Sequence, residues 1–373
     1  MIIRTATARA PVRIDFLGGW TDLPLFTELC PGYVLNTSIT LYTYATISSL
    51  PTKRDVASTY GIRVLTREEL DKNNPSGIQM HSEDFNAQEY ISSVATIEYD
   101  GAFNLAKAAC KRLGIDNEPG IQIVTRTEAP PGSGLGTSAS LAVALVGALD
   151  NYFNGFSYRY KGDPPHGANA IADLAYRIEA EELGFLTGTQ DHYAAAWGGL
   201  TLWRCYGESV TYNPIRLSLR TGLELESRCV LVYTGQSRLS SDIHRHVRAA
   251  YANGKNHNDI KELASLAQEG VDLLTNGEIQ LFGRLLTRNW QLQKNLHESV
   301  TNAEIDSYFN LAMTNGAIGG KACGAGGGGC LLFLAAAGQG HKLRAALRNA
   351  GLVILPFQID SHGLDVWGNK EGV

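Results

Sequence analysis

The sequence is poor in the features that mark membrane, secreted or nucleic-acid-binding chains. No run of about 18 apolar residues occurs in its 373 positions, so no membrane span is expected. Met1 to Ala10 lack the charged-then-apolar order of a secretion signal. The six cysteines form no Cys-x-x-Cys, which argues against a disulfide framework or a zinc site and fits a reducing cytoplasm. Neither charge sign dominates: 32 Lys plus Arg stand against 37 Asp plus Glu, a net charge of −5. Such a chain is a poor candidate for non-specific nucleic-acid binding, which rests on neutralising phosphates. No internal repeat, low-complexity stretch or long linker is visible. A Walker P-loop, which needs Gly-x4-Gly-Lys-Ser/Thr, is also missing. What is present is a globular composition, 44% apolar and 18% charged, with length for two domains or three. The 40 glycines are the unusual count, and they are clustered.

Residues 39–50 and 121–127 read as strands, rich in β-branched and aromatic residues. Residues 137–152 read as a helix, with Leu141, Leu145 and Leu149 four apart. Residues 168–183 read as another, with Ile171, Leu174, Ala175 and Ile178 on one face and Gly184 as its stop. A strand at 228–234, three helical stretches through 240–316, a strand at 330–337, a helix at 340–350 and a strand at 351–359 read as an α+β unit. Turn signals at Tyr206-Gly207 and Thr221-Gly222 place a boundary within 205–225; taken at 210/211, it gives domains 1–210 and 211–373.

Three glycine-rich segments stand out. In the first, a short apolar strand from Ala10 runs into Gly18-Gly19-Trp20-Thr21-Asp22. The glycines permit close approach to the backbone, and Asp22 could accept hydrogen bonds from hydroxyls. Taken alone, the segment reads more readily as a hairpin turn with a solvated acid. The second is Pro130-Pro131-Gly132-Ser133-Gly134-Leu135-Gly136-Thr137-Ser138, between a strand and a helix. Alternating glycines free backbone N–H groups to point one way, and the helix N-terminus adds a partial positive charge, so the segment predicts a phosphate site. The third runs from Gly319 to Cys330 and contains a formal Gly-x-Gly-x-x-Gly at Gly324, Gly326 and Gly329. An apolar strand follows it where a dinucleotide site needs a helix, so that reading fails. The run is costly in backbone entropy, and close approach to a ligand is expected to justify it.

Glu179 and Asp191 lie twelve residues apart, Asp191 just after Thr189, which could cap a helix. Mg²⁺ takes one or two carboxylates plus phosphates, so Ser138 and Glu179 would suit it, leaving Asp191 for a substrate hydroxyl. Spacing alone also fits two solvated acids, as Glu181 and Glu182 are read. His192 is read as structural, because adjacent helical residues do not share a face. Cys323 and Cys330 are read as small packing residues.

Taken in order, these motifs resemble the GHMP kinases, the superfamily of galactokinase, homoserine kinase and mevalonate kinase. The middle segment is similar to that family's Pro-x3-Gly-Leu-Gly-Ser-Ser-Ala, with Thr137 in place of one serine. Lys321 to Cys330 is similar to its C-terminal glycine loop. Arg13 to Pro24, Gly32 to Asn36, Tyr233-Thr234-Gly235 and Asn302 to Asp306 resemble the branch of heptose 7-phosphate kinases and the kinase part of L-fucokinases. Gly18-Gly19-Trp20-Thr21-Asp22 departs from the Gly-Glu-His-Thr-Asp of galactokinases.

The resemblance implies an α+β fold of two domains, the first mixed and the second ferredoxin-like, with the active site between them. It implies ATP as donor, with its phosphates held by Pro131, Gly132, Ser133, Gly134, Leu135, Gly136, Thr137 and Ser138. It assigns Mg²⁺ to Ser138 and Glu179, the acceptor hydroxyl to Asp191, and a supporting charge to Arg13. It places Arg13, Gly19, Trp20, Asp22, Gly188, Asp191, Gly324, Ala325, Gly326 and Gly327 around the substrate. The expected activity is phosphorylation of a sugar hydroxyl, the anomeric one in that branch. A related polyol or cyclitol kinase, and a non-catalytic regulator on the same scaffold, are the alternatives. The expected partner is a small sugar or sugar phosphate, without nucleic acid or membrane, in a monomer or homodimer. A heptose 7-phosphate would need a second basic pocket, for which Arg238, Arg245, Arg248 and Lys294 are available.

Overall fold

The computed structural model describes residues 4–50, 77–115, 120–154, 167–236 and 240–369. Two sheets organise them. The first has eight strands: β1 (Thr5–Leu17), β2 (Gly32–Ser49), β3 (Ile78–Ser82), β4 (Ala87–Ile91), β5 (Ile121–Thr127), β6 (Leu200–Tyr206), β7 (Ser209–Pro214) and β12 (Asp365–Asn369). Its order is β12-β1-β2-β5-β3-β4, with β6 on the other half of β2's free edge and β7 beyond it. The second sheet is fully antiparallel, in the order β11-β8-β10-β9, from β8 (Cys229–Tyr233), β9 (Ala317–Ala322), β10 (Cys330–Ala335) and β11 (Val353–Leu355). Helices join β8 to β9 and β10 to β11, so each pair of parallel strands has an antiparallel strand between them, the ferredoxin-like arrangement.

The helices are α1 (Pro24–Thr27), α2 (Asn104–Arg112), α3 (Thr137–Asn154), α4 (Ala168–Arg177), α5 (Gln190–Trp197), α6 (Leu219–Arg228), α7 (Ser240–Ala252), α8 (His257–Thr275), α9 (Ile279–Leu296), α10 (Ala303–Thr314) and α11 (Gly340–Asn349). Residues 240–316 thus hold four helices where periodicity predicts three stretches. The breaks are single turns at Gly254 and Gly277, both at positive φ, and the loop before α10. The strand expected at 351–359 is only β11, because Pro356 cannot donate to a ladder; Ile359 makes a lone bridge to Ile39. The strand expected at 39–50 starts earlier, at Gly32. The first sheet continues past residue 210 through β7 and recovers β12 from the chain's far end, so a division at 210/211 does not separate the sheets.

β1 spans two hydrophobic cores. Ala6, Ala8 and Ala10 pack with the buried face of α3, their small side chains letting the helix lie close. After a register shift between Pro11 and Val12, residues Val12, Ile14, Phe16 and Leu17 join the core of α8, α9 and the second sheet. The strand's period of two then turns Arg13 and Asp15 to the opposite face, toward the cleft between the two parts. Among the described residues no helix is long and apolar enough to cross a membrane.

Candidate active site

A cavity of about 450 Å³ opens at this junction. Gly132, Ser133, Gly134, Gly136, Thr137 and Ser138 form one wall. Gly132, Gly134 and Gly136 sit at φ +65°, +74° and +73°, a left-handed conformation that other residues adopt at a cost. They alternate with Ser133 and Leu135 and curve the backbone along the cavity wall ahead of α3. Leu135 itself is fully buried, and its carbonyl accepts from the Arg13 N–H at 2.9 Å. Pro131 is exposed at the rim.

Arg13 binds the opposite wall to this loop. Its Nε and Nη2 each donate to Asp191, to Oδ1 and Oδ2, both at 2.6 Å. Its Nη1 donates to the carbonyl of Gly134 at 2.6 Å. Burial works against the guanidinium charge, yet Asp191 and Asp15 outweigh it and raise the Arg13 pKa. Such a bidentate pair fixes orientation as well as charge. Asp191 lies in the first turn of α5. Gly136 is close to both: a Cβ there would lie 3.2 Å from Asp191 Oδ2 and 3.4 Å from Arg13 Cζ.

Ser138 Oγ donates to Glu179 Oε1 at the same wall. Glu179 belongs to a π-helical turn, Ile178–Glu182, that widens the end of α4, and Gly184 at φ +67° follows. π-turns of this kind recur at functional sites. The other carboxylate oxygen lies 2.9 Å from His192 Nε2, close enough for an ion pair but outside hydrogen-bond alignment. His192 is fully buried, edge-on to Tyr176, and is not among the residues lining the cavity, which fits a structural reading and adds Glu179 as its neighbour. The Ser138 hydroxyl and Glu179 carboxylate are hard oxygen donors on the cavity wall. They suit Mg²⁺, which keeps waters and takes its other ligands from phosphates. No cluster of three or more His, Cys, Asp or Glu able to cage a metal occurs among the described residues.

Asp22 lines the far end. It accepts from the Gln190 N–H at 3.2 Å and from Gln190 Nε2 at 3.4 Å. Asn36 orients Gln190 at 3.0 Å and is itself held by Trp203 Nε1 at 2.9 Å. Burial, then the charge of Asp191, pushes the Asp22 carboxyl up to about 6 against the Gln190 N–H and Arg13. Gly188 packs against it so closely that a Cβ would lie 1.9 Å from Asp22 Oδ2. The turn before it is rigid: Trp20 sits at φ +86°, and the space a Cβ would take on Gly19 is occupied by the Asp15 carboxylate at 2.3 Å.

The third glycine loop serves a different need from the one expected. Gly324 and Ala325 line the cavity, but Gly326 abuts the Val300 carbonyl and Gly327 donates to it at 2.7 Å. Gly324 packs on Gly134, and Gly329 on the carbonyls of Gly132 and Ser133. These glycines let two loops interlock backbone to backbone, and only the tip of the run reaches the cavity. Cys323 and Cys330 are buried, and burial pushes the Cys323 thiol up to about 12, as suits packing residues.

Four residues that sequence reasoning missed complete the site: Asp15, Lys321, Gln190 and His244. Lys321 Nζ lies 2.7 Å from Asp15 Oδ2, and Asp15 Oδ1 accepts from the Gly324 N–H at 3.1 Å. The alternation Arg13-Ile14-Asp15 carried a signal for Asp15. Nothing local marks Lys321 or His244, whose partners are distant in sequence.

Comparison with known proteins identifies the family. Residues 102–199 match the GHMP kinases N terminal domain and residues 271–352 the GHMP kinases C terminal domain. The D-glycero-alpha-D-manno-heptose 7-phosphate kinase of Campylobacter jejuni is 29% identical over 98% of this chain and 99% of its own. The bifunctional fucokinase/GDP-fucose pyrophosphorylase of Arabidopsis thaliana is 32% identical over 89% of this chain, which spans 30% of that longer protein. A crystal structure of a D-glycero-D-manno-heptose 1-phosphate kinase from Bacteroides thetaiotaomicron superposes with a TM-score of 0.73 at 25% identity, covering 98% of this chain and 100% of the other. Both domain matches and these relatives lead to one assignment: this chain belongs to the GHMP kinase family.

Proposed function

We propose that the protein transfers the γ-phosphoryl group of ATP to a sugar hydroxyl, the anomeric one, of a heptose 7-phosphate or an L-fucose-like sugar. The observation that carries this is the three-bonded Arg13, which fixes Asp191 and Gly134 relative to each other. The group facing the acceptor and the loop facing the donor are thereby held at one spacing, which is what phosphoryl transfer asks of a protein.

In this reading the N–H groups of residues 134–138, at the N-terminus of α3, hold the nucleotide phosphates, while the Ser133 N–H closes a turn on the Pro130 carbonyl at 3.1 Å. Ser138 and Glu179 would hold Mg²⁺, whose charge would offset that of the phosphates. Asp191 orients the acceptor hydroxyl and takes its proton as the O–P bond forms. Arg13 keeps the carboxylate aimed and adds positive charge near the transferring group. Asp22 and Gln190 bind a neighbouring hydroxyl.

The lining favours a polyhydroxyl acceptor. Among the described residues Arg13 is the one lysine or arginine on the cavity wall, and each of its three side-chain nitrogens already donates within the protein. Arg245, Arg248 and Lys294 do not line it, Lys294 lying 3.3 Å from Asp306, and Arg238 is outside the described residues. An L-fucose-like sugar needs no further cation, whereas a heptose 7-phosphate needs one from beyond that wall. Use of ATP, with six cysteines all unpaired, favours the cytoplasm.

The test is ADP release with a panel of L-fucose, D-glycero-D-manno-heptose 7-phosphate and related polyols, with and without Mg²⁺, followed by ³¹P NMR of the product. Magnesium-dependent release with one of the two sugars, and a sugar 1-phosphate signal, is the expected result. Release with none of the panel would overturn the reading.

A further inference from the structure

α7 reaches the cavity through His244. The Nδ1 of this histidine lies 2.7 Å from the carbonyl of Leu186, in the loop that also carries Gly188. A carbonyl oxygen only accepts, so Nδ1 carries the ring proton, and Nε2 of the neutral ring is left as an acceptor. Among the described residues Nε2 has no hydrogen-bond partner. The ring rests on Trp20, with centroids 4.8 Å apart at 60°, and Trp20 is itself buried in a turn locked at both sides. A histidine so held has one fixed tautomer, one fixed orientation and one free lone pair, in a cavity that Asp22 and Asp191 also line.

We infer that His244 is a specificity-determining residue of the acceptor site, its Nε2 accepting a hydrogen bond from a sugar hydroxyl other than the one phosphorylated. The inference rests on the sugar-kinase reading above. Burial lowers the His244 pKa against the opposing pull of the Leu186 bond and Asp191, so the neutral ring that this role needs is the form favoured at neutral pH. The ring couples the second part of the molecule to the substrate: α7 reads a hydroxyl while the Leu186 loop sets the angle at which it does so. An acceptor carrying a deoxy or O-methyl position there offers no proton and leaves the nitrogen unpaired, which is how a hydrogen-bonding site rejects a close analogue.

Two substitutions separate the ring nitrogens. In His244→Asn the side-chain amide replaces Nδ1 and keeps the Leu186 bond but loses the acceptor. In His244→Gln the terminal group reaches the Nε2 position and its oxygen can accept. With L-fucose and D-glycero-D-manno-heptose 7-phosphate as probes, H244N is expected to raise the sugar KM about tenfold, with kcat and the ATP KM little changed. H244Q is expected to stay within about twofold of the parent protein. A monodeoxy series with the unmodified protein should contain one sugar whose KM is raised by about the same factor, and that sugar should be indifferent to H244N. An unchanged sugar KM in H244N, or equal damage in both variants, overturns the inference while leaving the kinase reading intact. If H244N does not fold, the deoxy series and H244Q decide: no deoxy penalty, or a tenfold loss in H244Q, overturns it. Failure of the unmodified protein to phosphorylate either probe overturns both.

Discussion

Lys321 Nζ lies 2.7 Å from Asp15 Oδ2 and 2.6 Å from the carbonyl oxygen of Asp15, with both side chains almost wholly buried. The pair joins β9 of the second sheet to β1 of the first, two residues from Arg13. The Gly324 N–H occupies the other carboxylate oxygen, so the tip of the third glycine loop is tied to the strand that carries the site's arginine. Removing one partner leaves an uncompensated charge in the interior. Lys321→Met is expected to destabilise the protein by about 3–5 kcal/mol, measured by urea unfolding. Adding Asp15→Asn should recover part of that loss; a strictly additive double variant would show that the two do not interact.

Asp191→Asn removes the charged partner of Arg13 and, in the proposed mechanism, the proton acceptor together. Its kcat should fall by orders of magnitude while ATP affinity, measured by calorimetry, stays close to the parent value. Unchanged turnover would remove Asp191 from the mechanism. Arg13→Lys keeps a charge but cannot make the bidentate contact, so its kcat should also fall, by about 100-fold.

Ser138→Ala should raise the Mg²⁺ concentration needed for half-maximal rate and weaken Mg-ATP binding, with the sugar KM nearly constant. Magnesium titrations of the initial rate read this directly. An unaltered magnesium dependence would count against Ser138 as a ligand.

Gly188→Ala would place a Cβ 1.9 Å from Asp22 Oδ2, so Asp22 must move. The expected consequence is a raised sugar KM, at least several-fold, with the ATP KM unchanged. Equal sugar KM values would show that Asp22 can shift without loss.

The raised pKa of Asp22, about 6 in the fold against 3.8 as the model-compound value, has a definite sign. Between those values the folded protein binds more proton than the unfolded chain, so this group's contribution to stability falls as pH rises through that window and is lost above about 6. Asp22→Asn should therefore be more stable than the parent protein at pH 7 and gain little at pH 4, while binding sugar less well. Thermal melting at the two pH values checks it; a gain that is the same at both would disprove the assignment.

Much of this site was open to reading along the chain, because its parts are local. Gly132, Gly134 and Gly136 alternate before a helix, and their positive φ values follow from that pattern. Leu141, Leu145 and Leu149 mark α3 by their spacing. Arg13 and Asp191, 178 residues apart, were joined by a family resemblance and not by any local signal. The interlocking of the third loop with the second was misjudged: a glycine run looks the same whether a ligand or another backbone approaches it. The π-turn around Glu179 and the single-turn breaks between α7, α8 and α9 left no periodicity to detect.

The amino-acid order by itself determined what depends on neighbours a few residues apart: the conformation of the glycine loop before α3, the face of α3, the end of α4 at Gly184, and the side of β1 that Arg13 and Asp15 share. Only the tertiary structure decided which distant groups meet. It brought α7 across to place His244 on Trp20, buried Lys321 against Asp15, and returned β12 to the first sheet. These pairings depend on packing two cores against one strand, a property of the whole chain that no short window contains.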